Sequence, residues 1–125
     1  MKILIIENDI ILIGAMTRIF ESLGHHVTPT TVLEDALDQI TKEKFDLTTI
    51  DIRMNGKNQN GIEAYHLIRK LYGPLPVVVI TGCDDEMYED SKQFLADPYY
   101  KVYQKPIKID TLKEIIEFAL DGVNQ

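Results

Sequence analysis

The sequence predicts an α/β fold in which a parallel sheet is covered by helices on both faces. Short apolar runs alternate with stretches of helical periodicity along the 125 residues. Residues 76–80 are nearly all β-branched, as in a strand that is buried on both faces. Right-handed crossovers between parallel strands place helices on both sides of such a sheet.

The first half of the chain predicts two strand–helix units. Residues 3–6 form an apolar run that predicts a strand, and Gly24 ends the helix that follows as a C-cap. A short second strand is expected at residues 26–28. Thr31 and Glu34 then form a capping-box pattern that opens the second helix. The apolar stripes of the two helices consist of Leu12, Met16, Ile19, Leu23, Leu33, Ala36, Leu37 and Ile40.

The second half predicts three further units. Strands are expected at residues 45–50, 76–80 and 100–104, and the segment 53–60 is predicted to be a loop because it is rich in Asn and Gly. Helices are predicted after each of these strands from stripes of helical spacing. The stripes are Ala64, Leu67, Ile68 and Leu71, then Met87, Phe94 and Leu95, and finally Leu112, Ile115, Ile116 and Ala119.

The composition excludes several classes of function. A net charge of -7 argues against a nucleic-acid-binding surface, because phosphate backbones demand clustered Lys and Arg. No apolar run approaches the roughly 20 residues of a membrane span. The single cysteine, Cys83, cannot form an internal disulfide, which fits a cytoplasmic protein. We therefore expect one cytoplasmic domain over residues 1–125, with a tail or linker from about residue 122.

Four of the predicted strands end in polar side chains of different types. If the strands are parallel, their carboxyl ends share one edge, where ligands bind in open α/β sheets. Acids for a metal, a nucleophilic carboxylate, a hydroxyl and an ammonium are the groups needed to handle a phosphoryl group. The residues, in strand order, are Glu7, Asn8 and Asp9, then Asp51, then Thr81, then Lys105.

In this order and spacing, these residues resemble the response-regulator receiver domain, the phosphorylation switch of two-component signalling. The similarity extends from Lys2 to about Leu120. It implies a flavodoxin-like, doubly wound, five-stranded parallel sheet in the order 2-1-3-4-5 with five helices. It also implies a protein that is not a turnover enzyme and catalyses only its own phosphorylation and dephosphorylation.

The resemblance implies a role for each site residue. Asp51 is the implied phospho-acceptor, which receives the phosphoryl group from a sensor histidine kinase or a phosphotransfer protein. Mg²⁺ is the implied cofactor, because it neutralises the repulsion between the carboxylate and the phosphoryl oxygens. Thr81 is the implied switch hydroxyl, and Lys105 is the cation that pairs with the phosphoryl group. The implied metal ligands are Glu7, Asn8, Asp51 and the backbone carbonyl of Arg53.

The resemblance also implies where partners bind. An output domain or a separate partner protein is expected on the face formed by the fourth helix, the fifth strand and the fifth helix. A homodimer that forms on phosphorylation is a related expectation. Tyr88 and Phe118 are candidate contact residues. Nucleic acid and membranes are not expected to bind this domain itself.

Three features depart from the family pattern. Asn8 replaces the second carboxylate of the usual acidic pair, so we expect weaker Mg²⁺ binding. Val102 stands where the family usually has an aromatic switch residue, with Tyr100 and Tyr103 nearby. The loop after Asp51 lacks the usual proline and is about two residues longer than is common.

The sequence leaves three alternative interpretations to compare with the receiver domain. A pseudo-receiver has the same fold with little phosphorylation; Asn8 and Val102 favour it, whereas the intact acceptor, hydroxyl and lysine disfavour it. A phosphatase of the haloacid dehalogenase type needs a second Asp two residues after the nucleophile, where this chain has Arg53. A flavodoxin needs a phosphate loop rich in Ser, Thr and Gly after the first strand, which this sequence lacks.

Overall fold

The computed structural model describes residues 1–54, 59–82, 89 and 91–123. Within these residues the chain forms seven strands, four α-helices and a 3-10 turn at Lys92–Phe94. The strands are β1 (Lys2–Ile6), β2 (His26–Thr30), β3 (Leu47–Asp51), β4 (Arg53–Met54), β5 (Gln59–Asn60), β6 (Val77–Thr81) and β7 (Tyr100–Gln104). The helices are α1 (Ile10–Ser22), α2 (Leu33–Lys42), α3 (Ile62–Tyr72) and α4 (Ile109–Val123).

Five strands form one parallel sheet in the order β2-β1-β3-β6-β7. Counted along the five predicted strands this is 2-1-3-4-5, so the predicted topology is confirmed. One edge strand, β2, contains Pro29, which lies opposite Ile5 of β1. The strands β4 and β5 pair separately as an antiparallel ribbon directly after β3, where the sequence predicted a loop.

Two apolar layers enclose the sheet. The helices α2 and α3 cover one face, and α1 and α4 cover the other. Alternate residues of β6 enter the two layers, Val77 and Val79 in the first and Val78 and Ile80 in the second. All four are at most 2% exposed, as expected for a central strand buried on both faces. Burial of each such side chain contributes about 1.5–3 kcal/mol to stability.

The helix ends show which local signals the fold uses. Asp9 caps α1, since its Oδ1 accepts hydrogen bonds from the amides of Ile11 at 3.0 Å and Leu12 at 3.3 Å. Gly24 follows α1 with φ 91°, a conformation that glycine adopts without strain. The predicted capping box does not open α2, because Val32 is the N-cap residue and makes no side-chain cap hydrogen bond.

The predicted fourth helix falls mainly outside the described residues, as do Met87, Tyr88 and Cys83. The part of this segment that the structure describes ends in the 3-10 turn at Lys92–Phe94, so the α-helical spacing expected for Phe94 and Leu95 does not continue through it. Phe94 packs against the layer under α2 and α3, whereas Leu95 is 51% exposed. The helix α4 extends to Val123, so the expected tail starts no earlier than residue 124, outside the described residues. No helix within the described residues is long and apolar enough to cross a membrane.

Candidate functional site

The carboxyl ends of four strands bring the predicted site residues to one edge of the sheet. The register pairs Asp51 of β3 with Ile80 of β6, so Thr81 lies one residue beyond that pair. Glu7 follows directly after β1, beside the end of β3. Glu7, Asp51 and Thr81 are 2%, 6% and 2% exposed. Burial of two carboxylates is costly unless each is paired, so the edge requires a nearby positive charge.

Lys105 supplies that charge. Its Nζ lies 2.9 Å from Oε1 of Glu7 and 3.4 Å from Oδ2 of Asp51. Oε2 of Glu7 accepts a hydrogen bond from the Asp9 amide at 3.0 Å. The Lys105 amide donates to the Thr81 carbonyl at 2.7 Å, which holds the lysine beside the end of β6. The structure therefore brings Glu7, Asp51 and Lys105 into direct contact at this edge.

The environment of Lys105 keeps its ammonium charged. Burial alone would lower the pKa of Lys105, but the hydrogen bond to Glu7 and the charge of Asp51 outweigh that effect. The pKa of Lys105 is therefore raised above its ordinary value of 10.5. The side chain is 26% exposed, so a ligand that arrives from solvent can reach this charge.

The donor set at this edge fits Mg²⁺. The Glu7 and Asp51 carboxylates already converge on one cation, the Lys105 ammonium. Asn8 lies two residues after the end of β1, and Arg53 lies two residues after Asp51, the end of β3. Mg²⁺ is usually held by one or two carboxylates and keeps several waters. Across the described part of the chain, no three His, Cys, Asp or Glu side chains form a group that could hold a metal ion, consistent with an amide at position 8.

The position of the usual aromatic switch is occupied by Val102, which packs on the α2 and α3 side of the sheet. Tyr103 packs on the opposite side, with α1 and α4, so it does not replace the missing aromatic there. Tyr100 shares the face of Val102 and is 3% exposed. Its hydroxyl donates to the Ser91 carbonyl at 2.6 Å, and burial raises the pKa of Tyr100 well above its ordinary range. Tyr100 is thus a fixed structural residue.

The sequence did not predict a polar network beside α3. Oδ2 of Asp97 accepts hydrogen bonds from the Tyr65 hydroxyl at 2.7 Å and from Nε of Arg69 at 2.8 Å. Arg69 also donates to the carbonyls of Leu75 at 2.8 Å and Tyr99 at 3.2 Å. The i, i+4 spacing of Tyr65 and Arg69 was the available signal, because it places both on one helix face. Nothing local in the sequence connects them to Asp97.

Comparison with known proteins gives a consistent result. The family model for the response regulator receiver domain matches residues 3–117. The chain is 27% identical over 119 residues to the nitrogen assimilation regulatory protein NtrX of Azorhizobium caulinodans, covering 95% of this chain and 26% of that protein. It is 25% identical over 117 residues to the sporulation initiation phosphotransferase F of Bacillus subtilis, covering 93% of this chain and 90% of that protein.

The fold agrees with a solved structure of the same kind. The receiver domain of NtrX from Brucella abortus superposes with a TM-score of 0.81 at 26% identity, covering 95% of this chain and 98% of that chain. This chain thus spans about a quarter of the Azorhizobium protein but nearly the whole of the Brucella receiver domain. The sheet order, the residues at its carboxyl edge and the family match lead to one conclusion: the chain belongs to the response regulator receiver domain family.

Proposed function

We propose that this chain is a phospho-accepting switch in which Asp51 receives a phosphoryl group from a sensor histidine kinase or a phosphotransfer protein. The observation that carries the proposal is the contact of the buried Asp51 carboxylate with the Lys105 ammonium, at 3.4 Å. A carboxylate held beside a cation at the carboxyl edge of the sheet is suited to attack a phosphoryl group and to balance the charge that follows.

The proposed transfer is a single displacement at phosphorus. One oxygen of Asp51 forms a bond to phosphorus while the bond from phosphorus to the donor imidazole nitrogen breaks. The imidazole keeps that electron pair and takes a proton from solvent. Lys105 then turns from the Asp51 carboxylate to the new phosphoryl oxygens, and the Thr81 hydroxyl donates to one of them. Mg²⁺, held by Glu7, Asp51, Asn8 and the Arg53 carbonyl, would neutralise charge on the phosphoryl oxygens.

A second candidate function is a pseudo-receiver that binds partners without efficient phosphorylation. The geometry that favours it is the engagement of both Glu7 oxygens, one with Lys105 and the other with the Asp9 amide. A metal ion that uses Glu7 must therefore displace the ammonium, and Asn8 adds no negative charge to help it. The two candidates differ in whether Asp51 becomes phosphorylated at attainable Mg²⁺ concentrations.

We infer that output is carried by the face that includes β7 and α4. Phe118 of α4 is partly exposed there, and Nζ of Lys101 lies 5.2 Å from the centre of its ring. This face is proposed to bind an output domain, a partner protein or a second phosphorylated copy of the chain. The acidic net charge of -7 favours proteins over nucleic acid as partners of a cytoplasmic domain.

The test is intact mass spectrometry after incubation with acetyl phosphate, with and without Mg²⁺. We expect one phosphoryl adduct that depends on Mg²⁺ and is absent from Asp51→Asn. Asp35→Asn, which removes an exposed acid from α2, is the control for the loss of one charge and should be phosphorylated normally. If the folded wild-type protein forms no adduct at high Mg²⁺ and none with its partner kinase, the phospho-accepting switch is rejected in favour of the pseudo-receiver.

A further inference from the structure

Thr49 carries a buried hydroxyl close to the proposed phospho-acceptor. The residue is 1% exposed, and its Oγ1 has no hydrogen-bond partner among the described residues. An unpaired hydroxyl in a protein core costs free energy, and each one calls for an explanation. Central strands of parallel sheets are normally apolar throughout, so a hydroxyl at this position is unexpected.

Thr49 and Asp51 lie on the same face of β3. Leu47 belongs to the apolar layer under α1 and α4, whereas Ile50 belongs to the layer under α2 and α3. Side chains alternate along a strand, so Thr49 and Asp51 share the face of Leu47. Their Cα atoms are about 6.6 Å apart, because a parallel strand rises about 3.3 Å per residue. Because Oγ1 of Thr49 makes no direct hydrogen bond to a described residue, its hydroxyl can reach the carboxylate at this separation through one water.

The neighbours of Thr49 across the sheet offer no alternative acceptor side chain. Ile5 of β1 and Val78 of β6 stand opposite Thr49 in the register, and both are fully buried apolar residues. Along β3 itself, the next side chain on this face toward the carboxyl edge is Asp51. Asp51 is therefore the nearest polar side chain of β3 to Thr49 on this face.

We propose that Thr49 is a positioning residue for phosphoryl transfer, whose hydroxyl donates to the Asp51 carboxylate through one bridging water. The inference rests on the proposed function of Asp51. Lys105 contacts Oδ2 of Asp51 at the carboxyl edge, and Thr49 approaches from the side of the core. The two contacts together fix the orientation of the nucleophile.

The proposed contact favours the unphosphorylated state. An ionised carboxylate is a stronger hydrogen-bond acceptor than the neutral carbonyl of an acyl phosphate. During hydrolysis, water attacks phosphorus, the bond from phosphorus to the Asp51 oxygen breaks, and the carboxylate keeps the electron pair. The proton of the attacking water passes to phosphate or solvent. A hydroxyl that stabilises the departing carboxylate therefore accelerates the loss of the phosphoryl group.

The test is the lifetime of the acyl phosphate in Thr49→Val, which keeps the shape of threonine and removes the hydroxyl. We expect a lifetime about three- to tenfold longer than in the wild-type protein, which is the effect of losing one hydrogen bond of ordinary strength. Thr49→Ser, which keeps the hydroxyl, should restore the wild-type lifetime. Thr48→Val is the matched control, because Thr48 is the adjacent residue of β3, 2% exposed, and lies on the opposite face.

The outcomes separate a positioning role from a packing role. An unchanged lifetime in Thr49→Val would overturn the inference, as would an equal increase in Thr49→Ser or in Thr48→Val. If Thr49→Val does not fold, the lifetimes in Thr49→Ser, which keeps the hydroxyl, and Thr49→Ala, which lacks it, give the same comparison. If the wild-type protein is never phosphorylated, the proposed function fails and this inference fails with it. If the wild-type protein is phosphorylated and the lifetimes agree, only the inference fails.

Discussion

Asn8 decides how a cation competes for the candidate site. The neighbouring carboxylate of Glu7 is already engaged by Lys105 and by the amide of Asp9. A divalent ion must therefore replace the ammonium at Glu7, and Asn8 offers only the neutral oxygen of an exposed amide. The affinity for Mg²⁺ is therefore expected to depend on whether position 8 carries a charge.

Asn8→Asp is therefore expected to bind Mg²⁺ more tightly than the wild-type protein. One additional carboxylate at a partly screened site should contribute about 1–3 kcal/mol, or about 5- to 150-fold in affinity. Isothermal titration calorimetry measures the difference. Gln39→Glu adds the same charge on α2, away from the site, and should leave the affinity nearly unchanged. Equal affinities of Asn8→Asp and wild-type protein would contradict this role of Asn8.

The helix α3 is positioned by the absence of a side chain at Gly61. The Gly61 amide donates to the Ile52 carbonyl at 2.8 Å. A Cβ at this position would lie 2.5 Å from Cγ2 of Ile50 and would collide with the carbonyl oxygen of Asp51. The start of α3 thus packs directly against the end of β3, so the helix and the candidate nucleophile cannot move independently.

Gly61→Ala should disturb both stability and the site. We expect the free energy of unfolding to fall by about 1–3 kcal/mol, because the backbone must shift to admit the methyl group. The same shift should slow phosphorylation of Asp51. Gly14→Ala in α1 is the matched control, since its added Cβ meets nothing within 4 Å. In a helix interior that change should raise the free energy of unfolding by about 0.5–1 kcal/mol, as measured by denaturant titration.

Elements with a local signal could be predicted from the sequence, and elements set by distant contacts could not. The buried run of β6 and the positive φ of Gly24 followed from residue type alone. The start of α2 did not, because its N-cap residue is Val32, which makes no side-chain cap hydrogen bond, and the helix begins at the buried Leu33. The ribbon of β4 and β5 was not predicted, because strands of two residues are too short to show a period.

The residues of the candidate site also divide into those with a local sequence signal and those set by distant contacts. The placement of Asp51, Thr81 and Lys105 at one edge could be predicted, because each follows an apolar run and parallel topology brings strand ends together. The contact of Lys105 with Glu7, at 2.9 Å, depends on side-chain geometry that no sequence spacing specifies. Nothing in the sequence distinguishes Thr49 from other strand threonines, because its unpaired hydroxyl is visible only in the structure.

Across the whole molecule, a network of hydrogen bonds joins α3 to the approach to β7. Burial would raise the pKa of Asp97, but hydrogen bonds from the Tyr65 hydroxyl, the Tyr99 amide and Arg69 outweigh that effect. The pKa of Asp97 therefore lies below its ordinary value of 3.8. A lowered pKa in the folded state stabilises the protein above about pH 3.8, and this contribution is lost as the pH falls through the folded-state value.

Asp97→Asn should lower the free energy of unfolding by about 1–3 kcal/mol at neutral pH, through loss of partly buried, charged hydrogen bonds. The difference from the wild-type protein should shrink as the pH falls below 3.8, where the wild-type carboxylate also becomes protonated. Denaturant titrations at several pH values measure this. Asp38→Asn removes an exposed acid that pairs with Lys42 and should have little effect. A pH-independent difference would show that the charge of Asp97 is not responsible.

Pro29 has a consequence for crowded solutions, where exposed sheet edges recruit strands from other molecules. The Thr30 carbonyl accepts a hydrogen bond from the Glu7 amide, so the backbone of Thr30 faces β1. Because alternate residues of a parallel strand bond to the same neighbour, the backbone of Pro29 faces the open side of β2. Its ring carries no N–H, which interrupts the row of donors that an incoming strand requires. The pyrrolidine ring should therefore hinder the pairing of another molecule's strand along this edge.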